Sequence, residues 1–456
     1  MVYLPELGGR PTKLTSKPGY SESISSSSVA SLGYRTIAMS SKPSSSHSGG
    51  RPYNNVVSRN GRTYLRDITQ AYPLPVDLQE MHRQSLRTLL LIQVFGSPMM
   101  ALDDADRPPR RVLDVGCGSG FWSMMCHRHL KARGLDNVSF VGVDVVPLSP
   151  GSVGHTGKPD PDMQWQFVQH DIRQAPFPFA DDEFDHIQIN DMCLATPSHI
   201  YQIAMEEYMR ILRPGGTLEL WETDSTIRML RPHVPESAAI SDSDSDDDES
   251  AHVDENGGSS SNNTNTKSNI PPMGVYNISG STPLSAPLNP YFVEFNGWIV
   301  RALEARHLTA VPCTLMGPML LQETDVLRDV RSRRLAIPLS EVRWEREGVG
   351  GVVTKDGKSY VDWRGKYKST NTPAESTTVS IKGTSPSPSV LAIRRTALLS
   401  VVQLIQSLEP LLREASGKSQ DEWDGWLGKM TADVMREGGT SWGECMETGA
   451  WWCKKR

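Results

Sequence analysis

The segment Arg110–Trp122, RRVLDVGCGSGFW, constrains this chain more than any other. An apolar stretch ends in Asp114, and glycines follow at positions 116, 118 and 120. Apolar, β-branched residues read as a strand, and glycine then supplies positive φ and bare backbone for a tight turn into a helix. Such a strand–turn–helix forms a cradle for a small polar ligand, rimmed by peptide N–H groups. The spacing separates two kinds of cradle. Dinucleotide sites need G-x-G-x-x-G, and here the third glycine falls one residue early, with Phe121 in its expected place. An acid two residues before the first glycine suits a cationic or hydroxyl-bearing ligand better than a pyrophosphate.

The flanking sequence alternates strand and helix signals. Asp77-x-x-Glu80 is a capping box that opens a helix with apolar residues at Leu78, Met81, Leu86, Leu89 and Leu90. Strands are expected at Arg111–Val115, Val138–Asp144, about Gln164–His170, about Phe184–Asn190 and Thr217–Glu222. Helices begin near Phe121 and at Ser198, the second running to Leu212 and ending at the stop Arg213-Pro214-Gly215-Gly216. Further on, Phe292–His307 and Leu391–Glu414 have helical periodicity, and Ser419-x-x-Glu422 opens another helix. Arg333–Leu339 and Gly449–Lys454 close the chain as strands. Strands separated by helices predict an α/β fold, a parallel sheet with helices on both faces.

The 456 residues are 38% hydrophobic and 22% charged, enough for a sizeable core with polar sequence left over. Residues 1–52 are Ser/Gly/Pro-rich and bury too little apolar area to offset ordering entropy, so a disordered arm is expected there. Two further disordered stretches are expected at about 230–284, centred on SDSDSDDDES, and about 346–389, interrupting a single domain over 53–456. A net charge of −6 argues against broad nucleic-acid binding. No apolar run approaches the roughly 20 residues that span a bilayer, so no membrane partner is expected. Six cysteines without C-x-x-C pairing suit reduced thiols in the cytoplasm or nucleus, and no metal cluster is evident.

With strand, acid and glycine triplet together, the segment resembles motif I of the class I S-adenosylmethionine-dependent methyltransferases. Asn60-Gly61-Arg62-x-Tyr64, Tyr72-Pro73-Leu74-Pro75-x-Asp77, FPFADDEFDHI (177–187) and RILRPGGTLELWE (210–222) narrow the resemblance to the fungal LaeA-like, or TAM-type, methyltransferases. The resemblance implies a Rossmann-like sheet of seven strands, mostly parallel, whose last strand inserts antiparallel between strands 5 and 6. It also implies S-adenosylmethionine as cofactor and a methyl acceptor that is a small molecule or a protein. A LaeA-like nuclear regulator of secondary metabolism, acting through protein partners and its acidic disordered segments, is the alternative.

The resemblance, read with the ligand's chemistry, then implies roles for individual residues. Asp114 with Gly116, Gly118 and Gly120 faces the amino-acid end. Asp144, beside Val145 at the end of strand 2, accepts the ribose hydroxyls, the logic by which dinucleotide folds read a ribose. Asp171 accepts from the adenine amine and Ile172 offers its N–H, although an Asp also commonly begins a loop. Asn190, with Asp191, leaves strand 4 beside the methyl group or caps the next segment. Arg62 pairs the ligand carboxylate and Tyr64 lies against the sulfonium, or both are surface residues. His199 is a candidate proton acceptor, though a lone loop histidine is usually just solvated. A dedicated base is optional, because alignment and water exclusion supply most of the acceleration in a methyl displacement. Trp221, Trp298 and Trp344 line an acceptor pocket or belong to the core.

Overall fold

The computed structural model describes residues 56–66, 72–105, 107–148, 157–231, 273–279, 282, 284–347 and 386–456. The expected N-terminal arm and most of the two expected insertions lie outside the described residues.

Asn60 and Gly61 both take positive φ (49° and 75°), the backbone of a two-residue hairpin turn. They join β1 (Val56–Arg59) to β2 (Arg62–Leu65) as a separate antiparallel ribbon. Helix α1 (Leu78–Phe95) follows, its first turn capped by Asp77, which accepts from Glu80 N at 3.0 Å. Only half of the expected capping box forms. The Glu80 carboxylate turns inward instead, to Arg83 and to Ser407 Oγ at 2.8 Å.

Next come β3 (Arg111–Val115), α2 (Phe121–Ala132), β4 (Ser139–Asp144), β5 (Gln164–Gln169), β6 (Phe184–Asn190) and α3 (Ser198–Ile211). These match the sequence reading to within a residue or so. Both sheet faces are covered, which is why β3 is apolar at consecutive positions. Val112 packs with Trp122 and Leu130 of α2, while Leu113 and Val115 face the cluster that holds Met205 and Tyr208 of α3.

Strand β7 runs from Leu212 to Leu230, far beyond the expected Thr217–Glu222. At its start the ladder with β6 is irregular between Phe184 and His186, and the Pro-Gly-Gly stop is absorbed there as a bend rather than a loop. Past the expected end at Glu222 lies the polar run Thr223–Thr226; β11 (Glu444–Lys455) pairs Thr223 and, after a register shift that skips Asp224–Thr226, resumes at Ile227–Met229. Short strands β8 (Tyr276–Asn277) and β9 (Leu284–Ser285) fall within the stretch expected to be disordered. Then come α4 (Pro290–Glu304), α5 (Met316–Gln322), β10 (Leu327–Pro338) and α6 (Arg343–Glu347).

The single helix expected over Leu391–Glu414 is two, α7 (Pro388–Ser407) and α8 (Glu409–Ser416). Pro410 lacks an N–H and cannot continue a helix, but it is tolerated in the first turn of a new one. Among the described residues α7 alone is long and apolar enough to cross a membrane. It is a core helix here: Ala397, Val401 and Ile405 are buried, and Arg394, wholly buried, pairs Glu345 at 2.6 Å. Helix α9 (Gln420–Met435) begins at Ser419 with both halves of its capping box made.

The sheet order is β5-β4-β3-β6-β7-β11-β10-β8, with β9 pairing β7. Strands β3 to β7 are parallel, and β11 runs antiparallel to both β7 and β10. The insertion of the last strand between the fifth and sixth main strands is as the family resemblance implied. This is a mostly parallel, Rossmann-like α/β sheet with helices on both faces.

Candidate active site

Ligands of open parallel sheets bind outside the carboxyl ends of the strands, where the connections diverge. A cavity of about 210 Å³ lies there, bounded by the ends of β3, β4, β6 and β7 and roofed by α1 and by Tyr72–Val76. The turn after β3 is built for close approach. Gly116 and Gly118 take φ of 65° and 50° and both line the cavity. A Cβ on Gly116 would displace the Met192 side chain, and the positive φ itself favours glycine there. Gly120, at φ 74°, is the N-cap of α2 and does not line the cavity; a Cβ there would lie 2.9 Å from Pro159 Cγ. It shapes the turn rather than the wall.

Asp114, 2% exposed, accepts from Ser123 Oγ at 2.7 Å. Burial pushes its carboxyl up to about 7 despite that bond. Asp144 lies at the rim of the glycine turn and holds it in place. Its Oδ2 accepts from Gly118 N at 2.9 Å and its Oδ1 from Val146 N at 3.0 Å. Burial raises its carboxyl as well, against these two N–H bonds. Val145, Asp171, Ile172 and Asn190 all line the same cavity. Arg173 grips Asp171 through Nε and Nη2, so the wall there is an ion pair rather than a bare carboxylate. Burial would raise the Asp171 carboxyl, but Arg173 holds it below the ordinary range.

Besides Gly120, three expected residues are not brought to the cavity. Arg62 forms a bidentate pair with Asp77, the N-cap carboxylate of α1, at 2.7 and 3.0 Å. The buried Tyr64 hydroxyl donates to Ser407 O at 3.4 Å, so neither residue meets a ligand carboxylate or sulfonium in this arrangement. His199 sits in the first turn of α3 with its ring edge-on to His307, outside the cavity wall. Of the three tryptophans, Trp221 lines the cavity, whereas Trp298 stacks among Trp423 and Trp426, and Trp344 packs near Tyr276.

In place of Arg62 the cavity has Arg83 and Arg87, one turn apart on α1. Arg87 binds Asp191 through both terminal nitrogens, one of them at 2.6 Å, and also reaches Thr223 Oγ1. Asp191 takes a strained φ of 54° to meet it, a cost often found at functional sites. Gln84 stands over Gly118 and donates to Tyr72 OH at 3.0 Å. A signal for these residues was present in the sequence. Glu80, Arg83 and Arg87 lie on the same buried face of α1 as Leu90, Leu91 and Val94, where unpaired charge is rare.

The comparisons with known proteins bear on this geometry. Residues 112–216 match the methyltransferase domain family. The match thus covers the strands from β3 to the start of β7, together with the glycine turn. Over 167 residues the chain is 29% identical to the "Secondary metabolism regulator laeA" of Aspergillus niger, covering 36% of this chain and 40% of that protein. It is 27% identical over 181 residues to the "Protein-methionine methyltransferase laeA" of Emericella nidulans, covering 39% and 43%. The chain therefore spans about two fifths of the length of these curated relatives. Among solved structures, the N-methyltransferase NodS of Bradyrhizobium japonicum, in complex with S-adenosyl-L-homocysteine, is 18% identical, covers 32% of this chain and 61% of that one, and has a TM-score of 0.20. The chain resembles class I S-adenosylmethionine-dependent methyltransferases of the LaeA type.

Proposed function

We propose that the cavity binds S-adenosylmethionine and that the chain transfers its methyl group to a substrate. The observation that carries this reading is the glycine turn held by Asp144, with Asp114 behind it, opening onto a cavity that also holds Asp171 and Asn190. The donor set fits the ligand. Bare Cα positions at Gly116 and Gly118 admit the amino-acid part, Arg83, whose Nε and Nη2 hold Glu80, presents its remaining nitrogen to the carboxylate, and Asp144 retains lone pairs for the ribose. S-adenosylmethionine, when bound, supplies an electrophilic methyl on a sulfonium. The protein's work is to orient it, to exclude water and to present the acceptor in line.

Calorimetry with S-adenosylmethionine is the test. Removing a charge-assisted acceptor costs about 1.5–3 kcal/mol, so Asp144→Ala is expected to weaken binding by at least about tenfold. Wild type that fails to bind, or a variant that binds equally well, overturns the reading. The names of the LaeA relatives favour a second role, regulation of secondary metabolism. A deletion strain whose metabolite profile is restored as well by Gly118→Arg as by wild type would refute a regulatory role that depends on the cofactor.

A further inference from the structure

The sheet order gives the cavity two ends. Strands β4 and β3 bring Asp144 and the glycine turn to one end, and β7 and β11 stand on the other side of β6. The wall at the second end is apolar: Trp221 and Ile227 from β7, Met446 from β11, Phe295 from α4, Val401 and Leu404 from α7. Trp221, Ile227, Met446, Phe295 and Val401 are each at most 4% exposed, so this end of the cavity is a narrow chamber screened from solvent rather than a surface groove. A chamber walled by five buried side chains has no room for a folded protein surface, and an apolar wall selects an apolar guest.

One group breaks the pattern. Asp224 lines the same cavity and is 3% exposed. Its Oδ1 accepts from Cys313 N at 3.0 Å, whereas its Oδ2 is buried with no hydrogen-bond partner among the described residues. A buried acceptor left unmade costs about as much as a lost hydrogen bond, unless a ligand supplies the donor. The polar neighbour Thr223 is already engaged, by Arg87 and by Thr448 Oγ1 at 3.0 Å.

We propose that the β7–β11 chamber is the acceptor site, and that the acceptor is a small, mostly apolar molecule whose single N–H or O–H is received by Asp224 Oδ2. This rests on the methyl-transfer reading above. The acceptor's lone pair forms the new bond to carbon, the pair of the broken C–S bond stays on sulfur, and the N–H or O–H proton passes to the Asp224 carboxylate. Burial, with Glu447 alongside, pushes that carboxyl up to about 7, which suits it to take a proton near neutral pH. A thioether acceptor has no proton to give and would leave Oδ2 unsatisfied.

The chamber can be probed without turnover. Indole and benzothiophene share a shape, but only indole carries an N–H. Calorimetry on the full chain is expected to show indole binding about tenfold or more tighter than benzothiophene. Asp224→Leu should bring the two together, and Val401→Trp, which fills the chamber, should abolish both while leaving S-adenosylmethionine binding unchanged. That unchanged binding also shows that the variants fold. Wild type that binds neither probe, or both equally, overturns the proposal. A second arm uses tritiated S-adenosylmethionine with fungal extract separated into solvent-soluble and protein fractions. Label in the solvent-soluble fraction supports the small acceptor, and label confined to protein overturns it. Binding of S-adenosylmethionine with no label anywhere counts instead against methyl transfer itself.

Discussion

Replacing Arg394 by Met removes a guanidinium that is wholly buried on α7. The side chain makes five hydrogen bonds: two to Glu345, at 2.6 and 2.7 Å, two to Gly274 O, at 2.9 and 3.0 Å, and one to Ser340 O at 3.2 Å. Met keeps most of the apolar stem, so the loss is chiefly electrostatic. It strands Glu345, 2% exposed, with the Tyr276 hydroxyl as its remaining side-chain donor. Stranding one member of a buried pair typically costs about 3–5 kcal/mol. Urea unfolding, followed by circular dichroism and tryptophan fluorescence, should show a loss in that range. The double variant Arg394→Met/Glu345→Leu removes the stranded charge as well. It should recover at least half of the loss, leaving the unmet carbonyls of Gly274 and Ser340. A single variant that loses less than about 1 kcal/mol, or a double variant less stable than the single, would refute the argument.

Two further outcomes follow from the site. The Asp114 carboxyl is raised in the folded state to about 7, so between its ordinary value near 3.8 and about 7 the folded protein holds a proton that the unfolded chain has lost. Its contribution to stability therefore falls as pH rises across that window, and Asp114→Asn should remove that falling component from a stability–pH profile. His186 has the opposite sign. Burial lowers its pKa to about 4, so its contribution rises with pH from about 4 to 6.5; the slope of stability against pH should become more positive in Asp114→Asn and less positive in His186→Gln than in wild type, and an unchanged slope would contradict the assignment tested. Gly142→Ala puts a methyl into the Trp165 ring and 2.7 Å from Cys117 Sγ, behind the glycine turn. Overpacking of this kind costs about 1–3 kcal/mol. Thermal unfolding should detect it together with weaker S-adenosylmethionine binding, and a variant that matches wild type in both would show that the ring moves freely.

Much of the fold was legible in the sequence where local rules act alone. The strand before the glycine turn, the capped starts of α1 and α9 and the alternation of strand and helix come from periodicity, caps and turn chemistry. Those signals failed where distant segments override them. The expected strand stopped at Glu222, before the polar run Thr223–Thr226, and β7 continues to Leu230 because β11 pairs Thr223 and, past a register shift, Ile227–Met229. Pro410 divided a helix whose periodicity ran on past it. Arg62 was placed at the ligand by family likeness, and the nearby N-cap Asp77 took it.

The site divides along the same line. Asp114, Gly116, Gly118 and Asp144 sit on consecutive strand ends, so their convergence followed from order along the chain and the parallel sheet. The other half of the cavity did not. Arg87, Asp224, Val401 and Met446 lie far apart in sequence and meet only because the last strand slots between β7 and β10 while α1 and α7 close over it. Sequence alone determined the cradle, since a glycine turn is a short-range property of backbone conformation. What faces the cradle was decided by tertiary packing, because it depends on contacts between elements that no local pattern records.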